Sequence, residues 1–332
     1  MISLKSNKIK ALAAGLMLTL ALGALGCGGD KKEAGAKAEK VNVGIVQLVE
    51  HEALDAANKG FVDGLASKGY KEGQNITFDK QNAQADQSNL QNIAHRFVNN
   101  KVDLICAIAT PAAQTVANVT SDIPIVATAV TDYKTAKLVK DDAKPGTNVT
   151  GTTDMNPVAE QLDLLLKLVP NAKTIYCSSE VNSQLQVELL KKAAAAKGIT
   201  VKEATVSTVN DIQQAARSLA GDVQAVYVPT DNVLASAIPT LISVTEEAKL
   251  PVICAEGGMV RAGGLATLGV DYYKLGFQTG VMAADILSGK AKPADMAIQA
   301  QKEFKPTINL KEAAKIGLKV PEDLLKGAEV IK

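Results

Sequence analysis

Tryptophan is absent from this chain, histidine occurs twice, and aromatic residues make up only 3% of it. Two histidines leave little for a metal centre or a general base. His95 sits beside Arg96 on what reads as a solvated helix face, so only His51 is in position to reach a cleft at the ends of strands. Charge of one sign is missing too: 36 Lys and Arg against 35 Asp and Glu leave a formal net charge of +1, with no long basic run after the leader. That balance excludes the electrostatic footprint of a nucleic-acid binder. Cys106, Cys177 and Cys254 lie far apart in apolar segments, without the close spacing of zinc or dithiol motifs. Buried free thiols are the expectation; if an oxidising compartment joined any two, they would be Cys177 and Cys254. The chain carries no G-x-S-x-G, H-E-x-x-H or G-x-x-x-x-G-K, and no G-x-G-x-x-G after a strand. Gly257-Gly258 and Gly263-Gly264 are isolated doublets that punctuate loops. No catalytic residue, metal site or cofactor is expected.

The fourth cysteine, Cys27, closes a leader. Lys5, Lys8 and Lys10 precede an apolar run from Ala11 to Leu25, and Ala24-Leu25-Gly26 lead into the cysteine as in a lipoprotein signal peptide. Ala24 stands where such boxes usually carry leucine. The run of about 15 residues is short of the roughly 20 that a membrane helix needs. Residues 1–26 are therefore expected to be cleaved, and a lipid on Cys27 to hold the exported chain at the membrane, facing the periplasm or cell exterior. An ordinary secretory leader is the alternative. Residues 27–40 carry Gly, Ala, Lys and Glu without a large apolar side chain, which makes a flexible tether.

From Val41 onward, β-rich runs alternate with helical stripes. Val41 to Val46 reads as a strand, and Leu54, Ala57, Phe61, Val62 and Leu65 as a helix face. Ile76 to Phe78 makes the next strand; Leu90, Ile93, Ala94, Phe97 and Val98 follow, with Ser88 and Gln91 spaced as a capping box. Val102 to Ile108 and Ile123 to Ala129 are nearly continuous apolar runs, as in parallel strands covered on both faces. After Asn148 to Gly151 the order restarts, with Asn156-Pro157 opening a helix. Strands are expected at Lys173 to Cys177, Thr200 to Val206, Val223 to Val228 and Val252 to Ala255. Between them lie helices bearing Leu185 and Leu189, Ile212 and Leu219, and Ile238 to Thr245. One more strand, Leu265 to Val270, leads into a helix with Leu275, Thr279, Met282 and Ile286 on one face. Two consecutive βαβ series predict an α/β protein of two doubly wound parallel-sheet lobes.

Ligands of open parallel sheets bind beyond the carboxyl ends of the strands. That rule selects Thr110, Pro111, Ala112 and Ala113, then Thr131 and Asp132, then Asp154. In the second half it selects Ser179, Asn182 and Ser183, then Thr230, Asp231 and Asn232, then Glu256. Thr110 opens a helix whose free N–H groups suit a carboxylate, and Asp231 suits an ammonium group. The plain structural reading makes Thr110, Asn156 and Ser183 helix caps, and Asp132 and Asp154 turn residues.

AIATPAA at Ala107, IPIVATAVTD at Ile123, NVTGTTD at Asn148, VPTDN at Val228 and LATLGVDYYKLG at Leu265 resemble the solute-binding lipoproteins of ABC importers, in the subgroup associated with tryptophan and other aromatic amino acids. The resemblance implies a periplasmic-binding-protein type I fold with a three-crossover hinge. It puts residues 41–153 plus 264–289 in lobe 1 and residues 154–263 plus 290–332 in lobe 2. It also implies a monomer that closes on an α-amino acid and delivers it to an ABC permease with its ATPase. The ligand carboxylate would meet Thr110, its ammonium Asp231 or Glu256, and Ser183 would close from lobe 2. Tyr133 follows Asp132 where relatives have proline and small residues, so it either lines the cleft or covers the hinge. An aromatic ligand would have few partners to stack on: Tyr133, Tyr227, Tyr272 or Tyr273. The alternatives are a branched-chain amino acid as ligand, a sensing lipoprotein that signals to a membrane kinase or chemoreceptor, and an exported enzyme using Asp154, Asp231 and Glu256 as acid and base.

Overall fold

A computed structural model describes residues 40–218 and 223–332. The leader, Cys27 and the tether up to residue 39 lie outside the described residues, as does Leu219. Thirteen strands follow in chain order: β1 (Val41–Gln47), β2 (Ile76–Asn82), β3 (Leu104–Ile108), β4 (Ile125–Val130), β5 (Val149–Thr153), β6 (Thr174–Ser179), β7 (Thr200–Thr205), β8 (Ala225–Val228), β9 (Val252–Cys254), β10 (Ala266–Gly269), β11 (Gln299–Ala300), β12 (Lys305–Asn309) and β13 (Glu329–Ile331). They form two sheets, ordered β11-β5-β4-β3-β1-β2 and β13-β12-β10-β9-β8-β6-β7. Every pairing in the first sheet is parallel. In the second, only β10 with β12 is antiparallel. The residues of β3 and β4 are all buried, because a parallel step needs a crossover and the crossovers bring helices onto both faces.

The chain passes between sheets three times, after β5, after β10 and after β11. This is the type I periplasmic-binding arrangement. Strand membership differs from the expectation at two places. Ala266–Gly269 joins the second sheet, where Ala266 pairs with Ile253 and Ile308. Gln299–Ala300 returns to pair with Thr152 and Thr153 at the edge of the first. The chain thus crosses at Val270 and Asp271, so the helix Tyr272–Leu287 rather than the strand before it carries the return to lobe 1. Side chains lace the three crossings together. Val270 N–H donates to Asn156 Oδ1 at 3.2 Å, and Asp271 and Gln301 exchange two bonds, at 2.8 and 3.2 Å.

Local signals were displaced by a residue or two where a better acceptor was available. The second helix runs Gln87–Asn99 and is capped by Asp86, whose carboxylate accepts from Asn89 N–H at 2.7 Å, so the Ser88 and Gln91 pair is not its cap. The helix after Asn156 begins at Val158, with Pro157 at its cap position. Asn156 serves the hinge instead, as its bond to Val270 shows.

Helix Tyr272–Leu287 lies against helix Glu52–Ser67 so closely that four glycines form the contact. A Cβ on Gly276 would stand 1.9 Å from the Ala57 carbonyl oxygen, and one on Gly280 would stand 2.2 Å from that of Phe61. Gly60 and Gly64 face Tyr273 and Phe277 backbone in the same way, at 2.1 and 2.2 Å. Because backbone is the obstruction, no rotamer change relieves it. Gly276→Ala is expected to lower unfolding free energy by about 3 kcal/mol, the upper end of overpacking costs. Urea denaturation of the variant would check this, and a loss under about 0.5 kcal/mol, the scale of a neutral surface change, would contradict it.

Candidate functional site

The carboxyl ends of both sheets open on one gap. Lobe 1 lines it with His51, Leu54, Thr110, Ala129, Thr131 and Tyr272; lobe 2 lines it with Glu180, Asn182, Thr230, Asp231, Asn232, Glu256 and Met259. Asp154 enters from the first crossing.

Backbone geometry aims the lobe 1 side. Ala109 and Ala129 hold φ of +89° and +56°, conformations unusual for residues with a Cβ, and each sits where a strand turns into the cleft. Ala109 precedes helix Thr110–Val119, so Thr110 is its first helical residue and lines the gap, while Pro111 has no N–H to offer and Ala113 N–H bonds Ala109 O at 3.0 Å. Ala129 lies in the register shift between β4 and β5, which re-aims Thr131 toward Asp154. The Tyr133 hydroxyl stabilises that irregularity, standing 2.8 Å from the Ala127 carbonyl and 2.9 Å from that of Thr152. Tyr133 is thus fully committed to core and does not line the gap. Tyr227 is likewise buried, donating to Gln161 Oε1 at 2.5 Å. Tyr272 alone of the four tyrosines reaches the cleft.

Thr110, Thr131, Asp154, Asn182, Asp231, Asn232 and Glu256, all anticipated from strand ends, come together here. Pro111 lines an adjoining apolar groove that shares Glu180 and Asn232 with the gap. Five anticipated residues are elsewhere, among them the buried Ala113 and Ser179, the latter's hydroxyl 3.5 Å from Glu203 Oε1. Ala112 is buried in its helix, Asp132 accepts from Thr135 N–H at 2.8 Å to close a turn, and the Ser183 hydroxyl donates to Thr230 O at 2.6 Å beneath the wall. Glu180 was missed although it directly follows β6, where the strand-end rule would have found it. Leu54 reads as helix stripe and Met259 as loop in sequence, and nothing local distinguishes either.

Electrostatically the gap is one-sided. Asp154, Glu180, Asp231 and Glu256 line it, and no lysine or arginine does. Burial raises the pKa of all four. Asp231 is pushed up to about 8, by burial first and by the neighbouring Glu180 second. Its carboxylate also caps the helix Asn232–Ser236 through Leu234 N–H at 2.8 Å. Glu256 accepts from Gly258 and Met259 N–H at 2.5 and 2.8 Å. Asp154 accepts from Thr131 at 2.9 Å and Tyr272 at 2.6 Å. Burial lowers the pKa of His51, so its imidazole is held neutral. Cys106, Cys177 and Cys254 are buried free thiols away from the gap. Among the described residues, no cluster of His, Cys, Asp and Glu fits a metal ion.

The family model described as "ABC transporter substrate binding protein" matches residues 42–332. A tyrosine-binding protein of Clostridioides difficile (strain R20291) is 47% identical over 265 residues, 79% of this chain and 76% of that one. Among solved structures, an ABC domain from Streptococcus pneumonia in complex with L-Trp is 40% identical, with a TM-score of 0.85 over 89% of this chain and 100% of that one. A ligand-free, open substrate-binding protein with adhesive properties from Clostridium difficile is 43% identical, with a TM-score of 0.70 over 88% and 99%. The weaker superposition on the open protein, despite its higher identity, is what closed lobes produce. Contacts across the gap agree: His51 Nε2 lies 3.2 Å from Asn232 Oδ1, and Arg261 of lobe 2 pairs with Glu52 of lobe 1.

A carboxyl whose pKa is raised on folding contributes stability that is present below its ordinary value and lost as pH rises through the folded one. For Asp231 that window runs from 3.8 to about 8. The melting temperature of the empty protein is expected to fall across it, and Asp231→Asn, which keeps the cap, to flatten that fall. Parallel pH profiles for the two proteins would contradict the assignment.

Proposed function

Because the chain belongs to the ABC transporter substrate-binding protein family, we propose that it closes its two lobes around an aromatic α-amino acid and presents it to a membrane permease with its ATPase. One observation carries this reading. Thr110, whose N–H opens helix Thr110–Val119 without an intrahelical partner, lines a cleft whose lobe 2 wall is rich in carboxyls and has no basic side chain. An α-amino acid matches both features, with its carboxylate at Thr110 and its ammonium near Asp231. The relatives that bind tyrosine or hold L-Trp favour an aromatic side chain. In the gap Tyr272, Leu54 and Met259 offer it apolar contact, so stacking on many rings is not required.

No chemical step is involved in this reading. Binding energy goes into closure, since a ligand that touches both lobes stabilises only the form in which both are in reach. The moving bodies are the first sheet with helix Tyr272–Leu287 and the second sheet with its own helices. Export, cleavage before Cys27 and a lipid on that cysteine would hold a monomeric receptor near its permease, with residues 27–40 as the leash.

Calorimetric titration of the leaderless protein, refolded to remove carried-over ligand, tests the proposal with phenylalanine, tyrosine, tryptophan, leucine and a sugar. One-to-one binding of an aromatic amino acid is the expected outcome, with a smaller radius of gyration by X-ray scattering at saturation. Binding of leucine alone would move the specificity to branched-chain ligands. Binding of none, or an unchanged radius of gyration with ligand bound, would reject the closing receptor.

A further inference from the structure

A line of three side chains crosses the gap along its wall. Asn232 backbone N–H and Nδ2 each stand 3.4 Å from Glu180 Oε1, and His51 Nε2 stands 3.2 Å from Asn232 Oδ1. An amide oxygen only accepts, so the imidazole donates through Nε2–H and is the neutral tautomer carrying its proton there. The line thus runs from a carboxyl of lobe 2, through an amide oriented at both ends, to an imidazole of lobe 1.

The four acids of the gap are not equivalent. Each oxygen of Asp154, Asp231 and Glu256 accepts a bond of 2.9 Å or less, from Thr131 and Tyr272, from Leu234 and Glu180 N–H, and from Met259 and Gly258 N–H respectively. Glu180 is held by Asn232 at 3.4 Å and by Asn182, and among the described residues by no short backbone bond of that kind. It therefore keeps the most acceptor capacity for a ligand. It also adjoins Asp231, since its own N–H bonds that carboxylate at 2.5 Å. Two acids side by side, facing asparagines and a neutral imidazole and no lysine or arginine of the gap wall, form a place for a cation.

We propose that Glu180 and Asp231 together bind the ligand's ammonium group, and that the charge on Glu180, acting through Asn232, holds His51 in the contact that closes the lobes. The inference rests on the amino-acid reading above and adds to it the residue that recognises the amine. When the ammonium arrives it favours the ionised form of both carboxyls, and the proton that Asp231 holds at neutral pH goes to solvent. An ionised Glu180 is the stronger acceptor for Asn232 Nδ2–H, and this fixes the amide with Oδ1 turned to His51. Closure then depends on the ligand's positive charge as well as its shape.

Glu180→Gln keeps an oxygen for Asn232 and removes the charge. Calorimetry at pH 7 with tyrosine and tryptophan, and with their des-amino analogues 3-(4-hydroxyphenyl)propionate and indole-3-propionate, reads the effect. The variant is expected to lose about ten- to a hundredfold in affinity for the amino acids, the range of a bond to a charged group. Its affinity for the des-amino acids should stay within about twofold of wild type, the scale of a lost contact that carries no charge. Repeating the wild-type titration in buffers of different ionisation enthalpy should reveal proton release with tyrosine and none with its analogue. His51→Gln should keep the preference for the amine but weaken compaction by X-ray scattering. Equal losses for both ligand classes, or an unchanged affinity for the amino acids, would overturn the inference while leaving the receptor standing. A wild-type protein that binds neither amino acid would remove the receptor reading, and this inference with it.

Discussion

The contact of backbone on backbone between helices Glu52–Ser67 and Tyr272–Leu287 is the constraint on which the site depends. The two helices are separated in sequence by most of both lobes, yet their N-termini deliver His51, Leu54 and Tyr272 to the same gap. Gly60, Gly64, Gly276 and Gly280 let the axes approach until carbonyl oxygens occupy the space a Cβ would need. Such a contact has one register, because sliding either helix by a residue would drive a side chain into backbone. Glycine in a helix interior lowers local helix stability. Here that cost is offset by a fixed distance between the first helix of lobe 1 and the helix that returns to that lobe. Thr279 extends the same lock into the sheet, with its hydroxyl 2.9 Å from that of Thr152, which in turn lies 3.0 Å from Thr128.

Onto that rigid lobe the second lobe brings a wall of acids. Burying carboxyls without cations costs free energy, and the raised pKa values of Asp154, Glu180, Asp231 and Glu256 express it. In an open form the same groups meet water and the cost is smaller. An ammonium in the gap reverses the sign, since it favours the charged forms that burial opposes. The acid wall therefore works against closure of an empty receptor and for closure of a loaded one, and the same residues serve recognition and gating.

Much of this was legible in the sequence, and the part that was not has a physical reason. Alternating apolar runs and helical stripes fix the two α/β series, and the strand-end rule finds Thr110, Thr131, Asp154, Asp231, Asn232 and Glu256, because parallel topology dictates where a ligand can sit. The rule names positions and not directions. It could not tell that Ser183 would turn to Thr230, that Asp132 would close its own turn, or that Tyr133 would serve the irregularity in β4. Those outcomes depend on which acceptor lies nearest after folding. The crossing at Val270 was displaced for a similar reason: β10 is apolar enough for either sheet, and its pairing with Ile253 and Ile308 is decided by tertiary contact. Glu180 escaped because several polar residues follow the end of β6 at Ser179, and of those the glutamate alone reaches both the gap and the groove beside it.

The contacts that join the lobes outside the hinge are few and individually weak. Arg261 bridges Glu52 of lobe 1 and Glu329 of lobe 2, with the latter bond at 2.9 Å, but these side chains are all well exposed. Exposed ion pairs typically contribute about 0.2–1 kcal/mol. A neutral hydrogen bond such as that of His51 with Asn232 adds about 1 kcal/mol. Against them stand the repulsion within the acid wall and the entropy of holding two bodies in one orientation. The hinge tolerates both forms because its lacing, from Asn156 to Val270 and from Asp271 to Gln301, lies within the crossings and does not reach across the gap. A closed state held by so little is one that a ligand can make dominant with modest differential affinity, since each 1.4 kcal/mol of extra contact shifts the balance about tenfold. Weak bridging and an acid wall without a cation are therefore two parts of one arrangement, in which the missing cation is supplied by the molecule to be carried.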